Sequence, residues 1–365
     1  MTARPRLGFL GVGWIGRHRL EAIERDGRAD IVAIADPSRE RRDAALALAP
    51  GAIGCEHLGE LLEQPLDGVV IATPSALHAE HSLAALARGC AVFCQKPLGR
   101  NTAEAARVVA AARGANCLLG VDLSYRHTTA IRQIRDVVQG GGIGRVFAAD
   151  LVFHNAYGPD AAWFYDRAAS GGGCVIDLGI HLVDLALWML DFPAVESVDS
   201  QLYARGVPLD PGSSQVEDYA AVQLRLAGGV VVQLACSWRI SAGRDAVIQA
   251  AWYGSDGGVA MSNVGGSFYD FIAERYRGTA AERLASPPDD WGGRAAIDWT
   301  ERLAAGVGFD AEAERLVDVA SVLDTIYHDA RHHPRPQAQQ PARPHAAPHA
   351  GNGQPATGPR QGGIP

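Results

Sequence analysis

The sequence predicts an α/β protein in two parts: a doubly wound parallel sheet over residues 1–122, then an α+β domain with a mostly antiparallel open sheet over 123–330. Three observations carry this prediction. Short β-branched runs alternate with Ala/Leu/Arg-rich helical stretches as far as Asp122, the pattern of repeated βαβ units. Beyond residue 145 the strands lengthen, and Ala227-Gly228-Gly229 reads as a hairpin turn between two of them. A chain of 365 residues, 47% of them hydrophobic, exceeds what one core usually organises and has material for two.

In order, the first part should hold strands at 7–10, 31–35, 68–72, 91–94 and 117–121, with helices at 15–25, 39–49, 76–88 and 103–112. A helix at 129–139 ends at the glycines 140–142. Longer strands follow at 146–154, 195–203, 219–226, 230–238 and 246–253, with a helix through 174–184 and a last one at 311–330. Residues 331–365 are Pro, Gln, Ala, Gly and His with almost no large apolar side chains, a composition that predicts disorder. Their scattered His and Arg leave a metal or anion role open beside that of a solvated linker.

Composition narrows the function classes. A net charge of -8 argues against a nucleic-acid partner, whose phosphates draw on Lys and Arg. Six cysteines without CxxC spacing suit reduced thiols, and no signal-type or membrane-length apolar run occurs, so the expectation is a cytoplasmic protein with no membrane partner. His78 and His81 lie three apart on a helix, but no further ligand completes a metal site, so none is predicted. Trp188, Trp238 and Trp252 fall in apolar patterns that suit a core or a subunit interface.

The 7–10 strand runs into Gly11-Val12-Gly13-Trp14-Ile15-Gly16 and then a helix, the dinucleotide fingerprint in the context it requires. The first two glycines allow a tight turn and close pyrophosphate approach, Gly16 lets helix and strand pack, and the phosphates meet the helix N-terminus. The second strand ends at Asp36, whose carboxylate can accept from the ribose hydroxyls and repel a 2′-phosphate, favouring NAD. Ser38 and Arg39 could still hold that phosphate, so NADP stays open. Thr73-Pro74 and Gln95-Lys96-Pro97 end two further strands at the same sheet edge, which by the crevice rule turns Lys96 to the nicotinamide end.

Lys96 is the one lysine among 33 basic side chains. Arg is permanently charged and planar, whereas Lys is a compact charge tunable by burial, so retention of Lys at this one place suggests chemistry. In the second domain Ser170-Gly171-Gly172-Gly173 leads into the helix carrying Asp177, His181 and Asp184, spaced four and three apart and so expected on one face. That stripe fits a His acid/base with a carboxylate near it, and equally a buried His-Asp pair that holds the helix. With Lys96 the first reading gains, because oxidising a secondary alcohol needs a base for the hydroxyl proton and a cation beside the oxygen.

Together the fingerprint at 11–16, Ala72-Thr73-Pro74 with His78, Lys96-Pro97-Leu98-Gly99, and Gly171-Gly172-Gly173 followed by Asp177, His181 and Asp184 resemble the Gfo/Idh/MocA family of glucose-fructose oxidoreductases and inositol dehydrogenases over roughly residues 5–330. The resemblance implies an N-terminal Rossmann domain, a C-terminal open antiparallel sheet, and homodimers or homotetramers packed through that sheet. It implies that Lys96 positions the reacting hydroxyl, Asp177 contacts the substrate and His181 accepts the proton, on a sugar, cyclitol or sugar-like molecule. Tyr125-Arg126 and His154-Asn155 fall where such proteins approach substrate. Gln95 departs from the usual Glu before the lysine, removing a neighbour that favours charged Lys96. Phe164 follows Trp163 where an Arg is usual, leaving an anionic substrate group without that partner. Two rivals stand beside this reading: a glycosidase working through transient oxidation on a held NAD, which would use the same base and lysine, and a non-catalytic cofactor-sensing regulator, against which the retention of Lys96, Asp177 and His181 argues, since a sensor needs the pocket but not the proton-transfer set.

Overall fold

The computed structural model describes residues 4–210 and 213–330; the segment expected to be disordered, 331–365, lies outside the described residues. The first layer is β1 (Arg6–Leu10), α1 (Trp14–Asp26), β2 (Asp30–Ala35), α2 (Arg39–Leu46), β3 (Ile53–Cys55), α3 (Leu58–Leu61), β4 (Gly68–Ile71), α4 (Ser75–Ala87), β5 (Ala91–Cys94), α5 (Thr102–Ala115) and β6 (Leu119–Val121). The strands are parallel in the order β3-β2-β1-β4-β5-β6. The order reverses between β1 and β4, so the loops that follow those two strands open a crevice. Continuous apolar runs such as Gly68–Ile71 and Ala91–Cys94 are buried throughout, as strands covered on both faces must be. Sequence periodicity missed β3 and α3, which at three and four residues are too short to show a period.

The second layer follows as α6 (Thr129–Gln139), β7 (Val146–Asn155), α7 (Arg167–Ser170), α8 (Ile180–Met189), β8 (Val195–Ala204), β9 (Val207–Pro208), β10 (Tyr219–Leu226), β11 (Val230–Ser237), β12 (Ala246–Gly254), β13 (Gly257–Asn263), β14 (Phe271–Arg277) and β15 (Ala280–Ala285). Among the described residues these strands form one sheet in the order β15-β14-β13-β12-β7-β11-β10-β8-β9, antiparallel except where β7 meets β11. The hairpin at 227–229 joins β10 to β11, with Gly228 at φ 85° and Gly229 at φ 82°. The last three strands escaped the sequence reading for a physical reason. Ala280–Ala285 reads AAERLA, a helix-former composition, and only pairing with β14 across the Gly278 turn holds it extended.

Alternation along these strands buries one face. Leu151 and Phe153 of β7, Val232 and Leu234 of β11 and Ile248 and Trp252 of β12 join α8 and Tyr125 in a single core. The chain then returns: α9 (Arg294–Ala304) packs on α1, and α10 (Arg315–Ala330) lies against α5, α8 and β8. The expected helix at 311–330 is a 3₁₀ turn at Ala311–Glu314 followed by α10. Trp299 of α9 stacks near Phe93 at 5.7 Å and fills space left by two glycines, since a Cβ on Gly68 or Gly120 would stand 2.7 or 2.8 Å from its ring. Trp299→Ala should therefore lower the unfolding free energy by about 3–5 kcal/mol in urea titrations, because the sheet cannot collapse into the space; a loss under about 1 kcal/mol would show that α9 is not part of the first core.

Candidate active site

One cavity of about 980 Å³ runs from the loop after β1, past the ends of β4 and β5, to the start of α8. At one end Gly11 takes φ 82°, and a Cβ there would lie 2.7 Å from the Ala72 carbonyl oxygen. At Gly16 a Cβ would stand 2.1 Å from the Gly11 carbonyl oxygen, so only glycine lets α1 begin this close to β1. Gly13 caps α1 without any side-chain acceptor, and the first turn holds no acidic residue, leaving its amides free for an anion. Trp14 stands 67% exposed at the cavity edge beside Ile15. A pyrophosphate fits this cradle.

Asp36 lies in the cavity wall, and each of its carboxylate oxygens takes one backbone amide at 2.9 Å, Val12 on Oδ2 and Ser38 on Oδ1. It fixes the glycine loop and keeps lone pairs for ribose hydroxyls. Arg39, expected beside the ribose, instead faces Asp43 at 3.5 Å on the outer side of α2. Arg41, two residues on, lines the cavity and reaches within 3.9 Å of where a Gly13 Cβ would be.

The loops after β4 and β5 are clamped by His78, whose ring nitrogens meet the Pro97 and Thr73 carbonyl oxygens at 2.6 Å each. Burial outweighs these contacts and holds the His78 pKa below its usual value, so the neutral ring donates to one of the two carbonyl oxygens and abuts the other. The clamp positions Thr73-Pro74 against Gln95-Lys96-Pro97. Gln95 donates its amide to Asp122 Oδ2 at 2.6 Å, and Arg19 of α1 donates to the same oxygen at 2.5 Å. A carboxylate at position 95 would meet that of Asp122 at this distance, so Gln95 and Asp122 are chemically matched. Neither Arg19 nor Asp122 was named from sequence; a buried arginine three residues after Gly16 leaves no pattern of its own.

Lys96 crosses to the second layer. Its ammonium donates to the Asp177 carbonyl at 2.6 Å and to Asp177 Oδ1 at 2.7 Å, while the Trp238 indole N–H donates to Asp177 Oδ2 at 3.0 Å. Asp177 sits in a π-helical turn, Val175–Gly179, that precedes α8. The start of that turn is held by buried Glu217, which accepts from the Gly173 and Val175 amides at 2.9 and 3.0 Å and from the Tyr327 hydroxyl at 2.7 Å. The wider turn breaks the expected single stripe. Asp177 faces Lys96 and His181 packs edge-on to Tyr125 at 4.9 Å, while Asp184 is buried against Arg126. Lys96, Asp177 and His181 all line the cavity.

His181 has a buried Nδ1 without a partner, leaving Nε2 as the ring nitrogen with access to the cavity. Burial, and secondarily the charge of Lys96, holds its pKa well below the usual 6.5, so the ring is neutral near pH 7. It can accept a proton there.

The residues match two family descriptions: an oxidoreductase family with an NAD-binding Rossmann fold over residues 6–123, and a GFO/IDH/MocA C-terminal domain over 131–260. A 1,5-anhydro-D-fructose reductase of Ensifer adhaerens is 34% identical over 62% of this chain and 68% of its own. The chain belongs to the Gfo/Idh/MocA family. A D-glucoside 3-dehydrogenase of Escherichia coli K12 is 28% identical over 72% of this chain and 78% of its own. Among solved structures, KijD10, a 3-ketoreductase of Actinomadura kijaniata in complex with NADP and TDP-benzene, superposes with a TM-score of 0.78 at 24% identity, covering 90% of this chain and 98% of that one. As a Gfo/Idh/MocA member the protein is an NAD(P)-dependent dehydrogenase or reductase acting on CH–OH groups.

Within this Gfo/Idh/MocA fold some residues named from sequence lie apart from the cavity. Arg126 donates to Asp184 at 2.7 Å through Nε and spreads over the Trp188 and Phe192 rings, so its charge is spent inside the second core. His154 follows Phe153 and so points to the opposite face of the sheet, where it contacts Ser237 Oγ at 2.7 Å and stacks on Tyr219. Asn155, next along β7, is outside the cavity wall and its Oδ1 is buried. Tyr125 does reach it. A Lys96→Met variant should raise the His181 pKa toward 6.5, since it removes the cation that disfavours imidazolium while burial persists. An NMR titration of the His181 ring reads the shift, and an unchanged or lower value would show that the two side chains do not sense each other.

Proposed function

We propose that this enzyme interconverts a secondary alcohol and a ketone on an uncharged sugar, cyclitol or sugar-like molecule. The observation that carries the proposal is the meeting of Lys96, Asp177 and His181 in the wall of the cavity that begins at the glycine loop. The cradle at 11–16 suits the pyrophosphate, Asp36 the ribose, and Thr73, Pro74 and Gln95 the passage to the nicotinamide. When bound, the nicotinamide supplies hydride acceptance and return at its C4.

His181 takes the hydroxyl proton in oxidation and returns it in reduction. Lys96 has three N–H donors, two of them engaged by Asp177, so the third is available to the reacting oxygen and steadies alkoxide character there. Asp177, fixed by Lys96 and Trp238, keeps lone pairs to orient a neighbouring hydroxyl. Asp36 supports NAD; Arg41, rather than Arg39, is the residue in reach of a 2′-phosphate if NADP binds.

A panel of polyols and keto-sugars assayed with both nicotinamide cofactors should give a change at 340 nm with at least one substrate, and His181→Gln should cut kcat by about 10²–10⁴-fold. Sugar release without net cofactor reduction would point to the glycosidase chemistry instead, and no response to any substrate would sink the reading.

We further propose that two copies pair through the outer face of the open sheet. Val152, Val231, Ala235, Val247 and Ala251 stand on that face, each only partly buried between fully buried neighbours on the inner face. Sedimentation velocity should find a dimer or tetramer, shifted to monomer by Ala251→Arg; a monomeric wild type would refute the pairing.

A further inference from the structure

We propose that the cavity holds a second subsite, beside the sugar position, that takes a flat apolar aglycone, so that the substrate is a glycoside carrying an aromatic group. This rests on the oxidoreductase reading given above and names the substrate class of the same site. Two lines of aromatic rings start at His181 and Asp177. From His181 the line passes to Tyr125 at 4.9 Å, from Tyr125 to Trp291 at 5.1 Å, and from Trp291 to Tyr269 at 6.4 Å. From Asp177 it passes to Trp238 by the indole hydrogen bond, from Trp238 edge-on to Phe164 at 6.4 Å, and from Phe164 to Trp163, stacked at 3.8 Å. Tyr125, Phe164, Trp163, Trp291 and Tyr269 all face the cavity.

Tyr125, Trp238 and Trp291 belong to the second core, but the outer rings of the two lines do not serve folding in the same way. Tyr269 is 50% exposed at the end of its line, where its ring adds little to any core. A monosaccharide ring carries hydroxyls around its edge and needs donors and acceptors, which Lys96, Asp177 and His181 supply at the base. Farther out the walls are aromatic, and an occupant there gains by burying apolar area and stacking. A charged occupant gains nothing. Of the cations that line the cavity, Lys96 and Arg19 are paired with Asp177 and Asp122, Arg41 lies by the glycine loop, and Phe164 offers only a ring. A phosphorylated sugar or a second, polar sugar is therefore a poorer fit than an aryl group.

The test compares phenyl and methyl β-D-glucopyranoside, cellobiose and glucose 6-phosphate with NAD. The expected result is a kcat/KM for the phenyl glucoside about tenfold above the methyl glucoside, or roughly 1.4 kcal/mol, with cellobiose and the phosphate below both. Trp163→Ala and Tyr269→Ala should each bring the phenyl-to-methyl ratio down toward one. Equal values for the two glucosides, or a ratio that neither variant moves, would overturn the subsite and leave the oxidoreductase reading standing. Should no compound change the cofactor absorbance, that reading fails, and calorimetric titration of both glucosides into the NADH complex decides the subsite. Tighter phenyl binding that is lost in Tyr269→Ala supports it, and equal affinities end it. Tyr269 carries this arm because its half-exposed ring can be removed even where Trp163→Ala does not fold.

Discussion

The ion pair between Lys96 and Asp177 is the contact on which the site depends. It joins residues 81 apart in sequence, one at the end of a parallel strand and one in the turn that leads into α8. Both groups are mostly withdrawn from water, with side-chain exposures of 20% and 14%. In such surroundings either charge alone would be costly, and the partner offsets that cost while fixing the direction of both. In the proposed function the pair sets where the reacting oxygen sits relative to the crevice between β1 and β4.

What surrounds the pair serves to keep it in place. His78 ties the loops after β4 and β5 together through two carbonyl oxygens, and Glu217 ties down the start of the π-helical turn that carries Asp177. Arg19, Asp122 and Gln95 form a second compensated group next door. Gln95 is explained by that group, since its amide can donate to Asp122 where a carboxylate could only repel it. The charges of Lys96, Asp177, Arg19 and Asp122 in the cavity wall are in this way matched by one another.

Much of this was legible along the chain. The fingerprint from Gly11 to Gly16 and Asp36 at the end of the second strand are local features, read from a strand, a turn and a helix in sequence, and the strand edges were found to within two residues for most of the first sheet. Lys96 was legible for a different reason, as the only lysine in an arginine-rich chain. The short β3 and α3 carried no period to read, and β15 has the composition of a helix. Arg39 was placed beside the ribose from its nearness in sequence to Asp36, but helical geometry turns it outward to Asp43 and brings Arg41 inward. Arg126 and His154, expected near the substrate from the family resemblance, are directed away from the cavity, to Asp184 and Ser237.

By itself the sequence determined the fold class and carried the dinucleotide fingerprint, because both follow from local backbone needs, and it singled out Lys96, Asp177 and His181 as candidates that the fold then brings to one cavity. Only the tertiary structure decided which polar groups face the cleft and which are consumed in the core. One extra residue in the turn before α8 sends Asp177 to Lys96 and leaves Asp184 to Arg126, and one step along β7 puts His154 on the far side of the sheet. Such choices turn on long-range packing and on the pairing of buried charges, which no run of neighbouring residues encodes.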